Sequence, residues 1–381
     1  MARCDALGAI SDEPGRLTRT FHSPGMQRAN ELVGSWMRDA GLTVREDEAF
    51  NLRGKWATSQ QGAATLLLGS HLDTVRDAGK YDGPLGVLAA LAVVEHLRAE
   101  GRSLPFHVEI VGFSDEEGVR YQTAYLGSRA LAGTLSAEDL ARIEEKGISR
   151  ARWRGGAPIG YVDVHIEQGP VLEQRGLPVG VVSAIAGQSR IRVDLTGRAG
   201  HAGATPMALR RDALAGMAEI VLAAERCGVV ATIGQIAVEP NASNVIPGWA
   251  TCSLDVRDAR DLRRKAALRK LHAQAREVAR RRALRLTWTV VQETAAVRCD
   301  AGLTRLLSAS VAGRGIDIVR LPSGAGHDAA ALATLCPVAM LFVRCRGGVS
   351  HHPAESVRRA DVALAIGVLA DFIVSLASRH A

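Results

Sequence analysis

Three stretches of this chain share one pattern: an apolar run of strand length that stops abruptly on residues carrying charge or imidazole. ATLLLGSH ends on His71, HVEIVGFSDEEG on Asp115, Glu116 and Glu117, and YVDVHIEQG on His165 and Gln168. Between the first two, PLGVLAALAVVEHLRAEG reads as a helix with Gly101 just past its end. Strands that alternate with helices predict an α/β fold with a largely parallel sheet, because parallel neighbours need a long crossover. Parallel strands present their C-terminal ends on one edge, where ligands gather in such sheets. The three polar clusters are therefore expected side by side.

The pattern changes near Gly187. SRIRVDLTG, VVATIGQIAVEP, ATCSLDVRD and RLTWTVVQET read as strands, with helices in DALAGMAEIVLAAERC and DLRRKAALRKLHAQAREVARRRAL. The order β-α-β-β-α-β is that of a ferredoxin-like α+β unit. After about Asp300 the α/β pattern resumes, with GAGHDAAALA, the strand PVAMLFVRC, the loop GGVSHHPAES and a last helix. Two domains follow: residues 1–186 with 300–381, and an inserted domain over residues 187–299. With 381 residues, 47% hydrophobic and 23% charged, the chain has an ordinary globular composition, which excludes disorder and a small disulfide scaffold. The six cysteines form no C-x-x-C pair and are read as reduced thiols. No secretory signal is visible, and the run Leu85 to Val94 is far short of the ~20 residues that span a bilayer. A cytoplasmic protein without a membrane partner is expected. The net charge of +7 admits an anionic small molecule or nucleic acid. The basic helix after Asp261 reads as a solvated face rather than a nucleic-acid surface, because no aromatic platform accompanies its cations.

The chemistry lies in the polar clusters. His71 at a strand end can ligate a metal through one ring nitrogen, with Asp73 placed to accept a hydrogen bond from the other. Asp82, before an apolar helix, is either an N-cap or a carboxylate that bridges two ions. Asp115, Glu116 and Glu117 repel one another where burial is expected, and cations relieve that cost. His165, and His351 or His352 of GVSHHPAES, complete a mixed imidazole and carboxylate set. That set suits two divalent ions such as Zn²⁺ or Mn²⁺. Arg257, between Asp255 and Asp258, offers a fork for a carboxylate, or a structural ion pair with those acids. His201 in GRAGHAGATP is presented by a glycine-rich loop, which without further context reads as an exposed loop histidine.

The motifs GSHLDTV, YDGPLGV, DEEGVR, HIEQGP, GHAGATPM, NVIPG, LDVRD, SGAGHDA and SHHPAE, in this order over nearly the whole chain, resemble the carbamoylase branch of the dinuclear metallo-aminoacylase and carboxypeptidase superfamily. The resemblance implies an aminopeptidase-like catalytic domain with the inserted domain as lid and dimerisation unit, hence a homodimer. It implies that His71, Asp82 and His165 hold one metal ion, and that Asp82 bridges to a second held by Glu117 and His351. Glu116 matches the general base. His201, Asn244, Arg257, Gln168 and Gly326 match substrate-binding positions, with His201 also stabilising the oxyanion, in cis or in trans. The last ligand loop departs from the pattern by carrying His352 after His351; register points to His351. The implied activity is metal-dependent hydrolysis of the ureido C–N bond of a small anionic substrate. The stretches HLDTVRDAGKYDG and FSDEEGVRYQTAYLGSRALAG stand nearest to the allantoate-cleaving members. The alternatives are N-carbamoyl-L-amino acids or N-carbamoyl-β-alanine as substrate, and, in a different class, a metal-free binding protein on the same fold.

Overall fold

The computed structural model describes residues 1–145, 147–154 and 156–380. Its strands, in chain order, begin with β1 (Thr43–Glu46), β2 (Leu52–Trp56), β3 (Thr65–His71), β4 (His107–Phe113), β5 (Gly160–Ile166) and β6 (Val179–Ile185). They continue with β7 (Gly187–Thr196), β8 (Gly200–His201), β9 (Val230–Glu239), β10 (Val245–Ile246) and β11 (Trp249–Asp258). The last four are β12 (Arg285–Thr294), β13 (Val297–Arg298), β14 (Arg320–Ser323) and β15 (Val338–Val343). Two compact units result, one of residues 1–183 with 299–381, the other of residues 184–298.

The α/β expectation holds for the first unit. Its sheet runs β1-β2-β4-β3-β5-β15-β6, with β4-β3, β3-β5 and β5-β15 parallel and the flanking pairs antiparallel. β3, β5 and β15 are buried along their whole length, as strands covered on both faces must be. β1 and β2, which carry no strong sequence pattern, extend the sheet on one side. The helix Pro84–Ala99 packs on β3 and β5 and against the helix Arg359–His380. That last helix is long and apolar enough to cross a membrane by length and composition. Here Val368, Leu369, Phe372 and Ile373 are buried in the core cluster they share with Leu88 and Leu91. All six cysteines are free.

Because β3, β4 and β5 are parallel, His71, the Asp115–Glu117 turn and His165 emerge at the same edge. The helix Pro84–Ala99 starts at this edge too, with Gly83 as N-cap at φ +80°. A Cβ at Gly83 would sit 2.4 Å from His71 Cε1, so glycine serves both the left-handed turn and the approach of the imidazole.

The second unit has a four-stranded antiparallel sheet in the order β12-β7-β11-β9. The helices Ala213–Glu225 and Asp261–Arg281 cover it through Met217, Ile220, Leu271 and Ala275 on Val193, Leu195 and Leu254. Asp212 caps the first helix by accepting from Ala215 N–H at 3.0 Å. Arg263, Arg264, Lys265 and Arg280 of the basic helix pair with Asp258, Asp261, Glu293 and Glu277. On the outer strands Val230, Ile236, Val290 and Val291 are exposed.

Gly83→Ala should destabilise the protein by more than about 1 kcal/mol, since the added methyl meets both a positive φ and the His71 ring. It should also abolish metal uptake. Denaturant unfolding and elemental analysis check both; a variant with wild-type stability and metal content would contradict this reading of the turn.

Candidate metal centre

Asp82 lies at the convergence point. It does not cap the helix that follows; Gly83 is the N-cap and no side-chain cap bond forms. Its Oδ1 is 3.1 Å from His165 Nε2 and 3.8 Å from His71 Nε2, and its Oδ2 is 3.2 Å from His351 Nε2. His351 Nε2 lies also 3.3 Å from Glu117 Oε1. His71, Asp82 and His165 thus form one donor set, and Asp82, Glu117 and His351 another, each with its atoms within 4.8 Å. His71, Glu116 and Glu117 form a third grouping of the same size. Of the adjacent histidines, His351 turns to the acids, while His352 is exposed and its Nδ1 accepts from Ala354 N–H at 3.1 Å.

The two strand-end rings are oriented from behind. His71 Nδ1–H donates to the Asp73 carbonyl at 3.0 Å, and His165 Nδ1–H to the Ile166 carbonyl at 2.9 Å. Both Nε2 lone pairs are then available toward Asp82, the tautomer a metal ligand requires. The expected bond from His71 to the Asp73 carboxylate is not made; the nearest oxygen is 3.6 Å from Nδ1. That carboxylate instead accepts the backbone N–H groups of Glu116 (3.1 Å) and Glu117 (3.2 Å). Two amides outcompete one imidazole for it, so Asp73 fixes the turn that carries both glutamates.

Electrostatically the pocket is overloaded with acid. Asp73, Asp82, Asp115, Glu116, Asp163 and Asp328 are all buried. Burial, reinforced by Asp73, pushes Asp115 up to about 8, and burial pushes Asp328 up to about 8 as well. Glu116 is held well above the usual carboxyl value by burial, with Glu117, Asp328 and Asp73 adding to it and His71 opposing. Asp82 goes the other way: burial would raise it, but His165 and His351 outweigh burial and keep it ionised. Its contacts to Asp82 and then Glu117 lift His351 to about 10. Among the described residues the buried Asp82 Oδ1 receives no hydrogen bond. An ionised carboxylate oxygen 3.1 and 3.8 Å from two imidazole Nε2 atoms, whose Nδ1 atoms are already committed to carbonyls, fits a divalent cation that would replace the imidazole protons. Asp115, Gln168 and His351 adopt φ of +50°, +55° and +56°, left-handed values that non-glycine residues hold where function requires them.

Several residues at this site lie outside the sequence reading. Glu355 accepts from the backbone N–H of Tyr81 (2.7 Å) and Asp82 (3.0 Å), and Ser350 Oγ lies 2.7 Å from Asp82 Oδ2 and 3.1 Å from Glu355 Oε2. Both belong to the SHHPAES loop, where only the histidines stand out by type. His327 packs edge-on against His165 at 4.5 Å and shares a 2.7 Å bond with Ser323 Oγ. Asp163, pushed up to about 6 by burial, faces inward from the middle of YVDVHI, an acid in an apolar strand that was signal enough.

The expected substrate residues divide between the units. Gln168 Nε2 donates to Asp82 Oδ2 at 2.9 Å. Gly326 is in contact with Tyr125, and a Cβ there would fall 1.6 Å from the Tyr125 hydroxyl. In the second unit β8 pairs with β10 through His201 and Val245, and Ala202 N–H donates to Asn244 O at 2.9 Å, so His201 and Asn244 share one exposed ribbon. His201 Nδ1 accepts from Gly203 and Ala204 N–H, both at 3.1 Å, which leaves the ring proton on Nε2. Arg257 makes the ion pair that its acidic neighbours suggest, with Nε and Nη2 on Asp255 at 3.0 and 3.1 Å.

Comparison with known proteins places the whole chain. The chain is 40% identical over 427 residues to allantoate deiminase of Arabidopsis thaliana, covering 98% of this chain and 81% of that protein. It is also 40% identical over 393 residues to N-carbamoyl-L-amino acid amidohydrolase of Geobacillus stearothermophilus, covering 97% and 96%. The crystal structure of an amidase of the hydantoinase/carbamoylase family from Burkholderia multivorans superposes with a TM-score of 0.93 at 30% identity, covering 99% of this chain and 96% of that one. Residues 67–375 match the peptidase family M20/M25/M40, whose members are metal-dependent hydrolases. By both measures, the chain belongs to this family.

Proposed function

We propose that this hydrolase is an allantoate amidohydrolase, cleaving one ureido C–N bond of allantoate to give ureidoglycine, CO₂ and ammonia. The observation that carries the reading is the pair of donor sets sharing Asp82 beside the buried Glu116. It is supported by the Arabidopsis thaliana relative, whose name gives allantoate as substrate. His71, Asp82 and His165 would hold one divalent ion, and Asp82, Glu117 and His351 a second, each Zn²⁺ or Mn²⁺. When bound, such ions supply Lewis acidity, which strengthens water as a nucleophile and the ureido carbonyl as an electrophile.

The chain's own groups do the rest. Glu116, with its raised pKa, takes a proton from the attacking water and hands it to the leaving nitrogen. The carbamate fragment then decays to CO₂ and ammonia. His201, with its proton on Nε2, is a donor for the oxyanion, and Arg257 exchanges part of its hold on Asp255 for the substrate carboxylate. The second unit serves as lid and as the interface of a homodimer in the cytoplasm. The exposed apolar residues of β9 and β12, the outer strands of its sheet, support that role.

A panel of allantoate, N-carbamoyl-L-amino acids, N-carbamoyl-β-alanine and ureidoglycolate, followed by ammonia release, tests the assignment. The largest kcat/KM is expected for allantoate. A larger value for an N-carbamoyl-L-amino acid would transfer the assignment to the activity named in the Geobacillus stearothermophilus relative.

Metal uptake should release protons. His351, at about 10, is protonated at pH 7.5 and must lose that proton to ligate. Calorimetry of Zn²⁺ binding in buffers of different ionisation enthalpy should give about one proton or more released per chain, with affinity falling as pH falls. Saturation at a single ion would count against the shared Asp82.

Glu116→Gln should keep both ions while losing ~10²- to 10⁴-fold in rate. A loss below tenfold removes Glu116 from its role, and loss of metal would exchange the roles of Glu116 and Glu117.

Arg257→Lys keeps the charge without the planar fork and should raise KM for allantoate with metal content unchanged. Mixing His201→Ala chains with Glu116→Gln chains then locates the histidine. Regained activity in the mixed dimer means that His201 acts across the interface; inactive mixed dimers mean that it serves its own chain.

A further inference from the structure

The catalytic unit has a second cleft, at the other end of the sheet from the metal centre. Its volume is about 620 Å³, within the range of small-molecule sites (about 300–1,000 Å³). Thr65 and His107, the first residues of β3 and β4, line it, together with β1, β2 and the segment around Trp153. From Thr65 to His71 is six strand steps, so the cleft lies roughly 20 Å from the metal ligands. It shares no lining residue with them.

The lining is strongly basic. Arg45, Lys55, Arg150, Arg152 and Arg154 all face it, and among the described residues none has an acidic partner within ion-pair distance. A sixth cation, the buried Arg53, is already neutralised: its Nε donates to Glu109 at 2.5 Å and its Nη1 lies 3.7 Å from Asp47. Among the described residues, that leaves Glu48 as the single carboxylate of the lining not so engaged. Five cations left around one concavity repel one another and raise the local anion concentration.

Beside them stands an aromatic surface held in place. Trp153 is half-buried, donates Nε1–H to the Gly156 carbonyl at 2.9 Å and backbone N–H to the Leu131 carbonyl at 2.8 Å. The Arg53 guanidinium lies 5.1 Å from its ring centroid. Arg53, fixed by Glu109, therefore fixes the indole. Guanidinium and ammonium groups recognise phosphate, and a fixed indole stacks on a planar ring. We propose that this cleft binds a small phosphate-bearing ligand with a planar ring, of the nucleotide kind, its phosphates on the arginines and lysine and its ring against Trp153.

The test is calorimetric titration of the metal-loaded enzyme with ADP, pyrophosphate and adenosine. ADP should bind saturably at one site per chain, more tightly than pyrophosphate or adenosine, and more weakly as salt rises. Arg152→Ser with Arg154→Ser should weaken ADP at least tenfold, and Trp153→Leu should weaken ADP but not pyrophosphate. Melting temperature and hydrolysis of the ureido substrate should be unchanged in both variants. The proposal is overturned if ADP does not saturate, if both variants bind it like the wild type, or if the substrate displaces it competitively, which would put the phosphates on the metal centre. Pyrophosphate binding as tightly as ADP would remove the planar ring from it.

Discussion

The architecture turns on the cost of burying several carboxylates in one place. Six acids lie buried around His71 and His165, and the groups within 4 Å of the Asp82 carboxylate that can carry positive charge are imidazoles. Protons answer part of the problem, at Asp115 and Asp328. Asp82 is the exception that stays ionised, and it does so because three histidines surround it. A site so arranged is designed for cations: remove them and the imidazoles must take up protons in their place.

The supporting contacts show how that cost is met. Asp73 and Glu355 do parallel jobs. Each spends its carboxylate on two consecutive backbone amides, Asp73 on Glu116 and Glu117, Glu355 on Tyr81 and Asp82. Amides cannot leave or ionise, so the turns are locked whatever the protonation of the side chains they carry. Glu116 and the shared Asp82 thereby hold their positions whatever charge the site carries.

Much of this was legible in the sequence, and the reason is directional. A parallel sheet sends every strand end to one edge, so strand-terminal polar clusters could be assembled without coordinates, and His71, Glu117, His165 and His351 do converge on Asp82. Part of what stayed hidden acts through backbone groups. Glu355 looks like a loop acid because its partners are amides, which leave no trace in residue type. Asp73 stands beside His71 in sequence, which suggested a side-chain bond that the geometry gives to the amides of Glu116 and Glu117 instead. Arg257 offered two readings, and its pairing with Asp255 is a matter of strand register, i to i+2 on one face. The basic cleft was invisible for a different reason: its cations come from three separate segments, none of which forms a motif.

The span of the Glu355 contact also sets an order of assembly. Its acceptor oxygen, Oε1, and the amides of Tyr81 and Asp82 are more than 270 residues apart in the chain, with the entire second unit synthesised in between. On the ribosome His71, Asp82 and His165 emerge long before Ser350, His351 and Glu355. A nascent chain therefore presents an acidic half-site, open to solvent and lacking the clamp on its central turn. The donor set of His71, Asp82 and His165 can thus be complete in a chain that still lacks the set built with His351, so a truncated product has at most half of the centre.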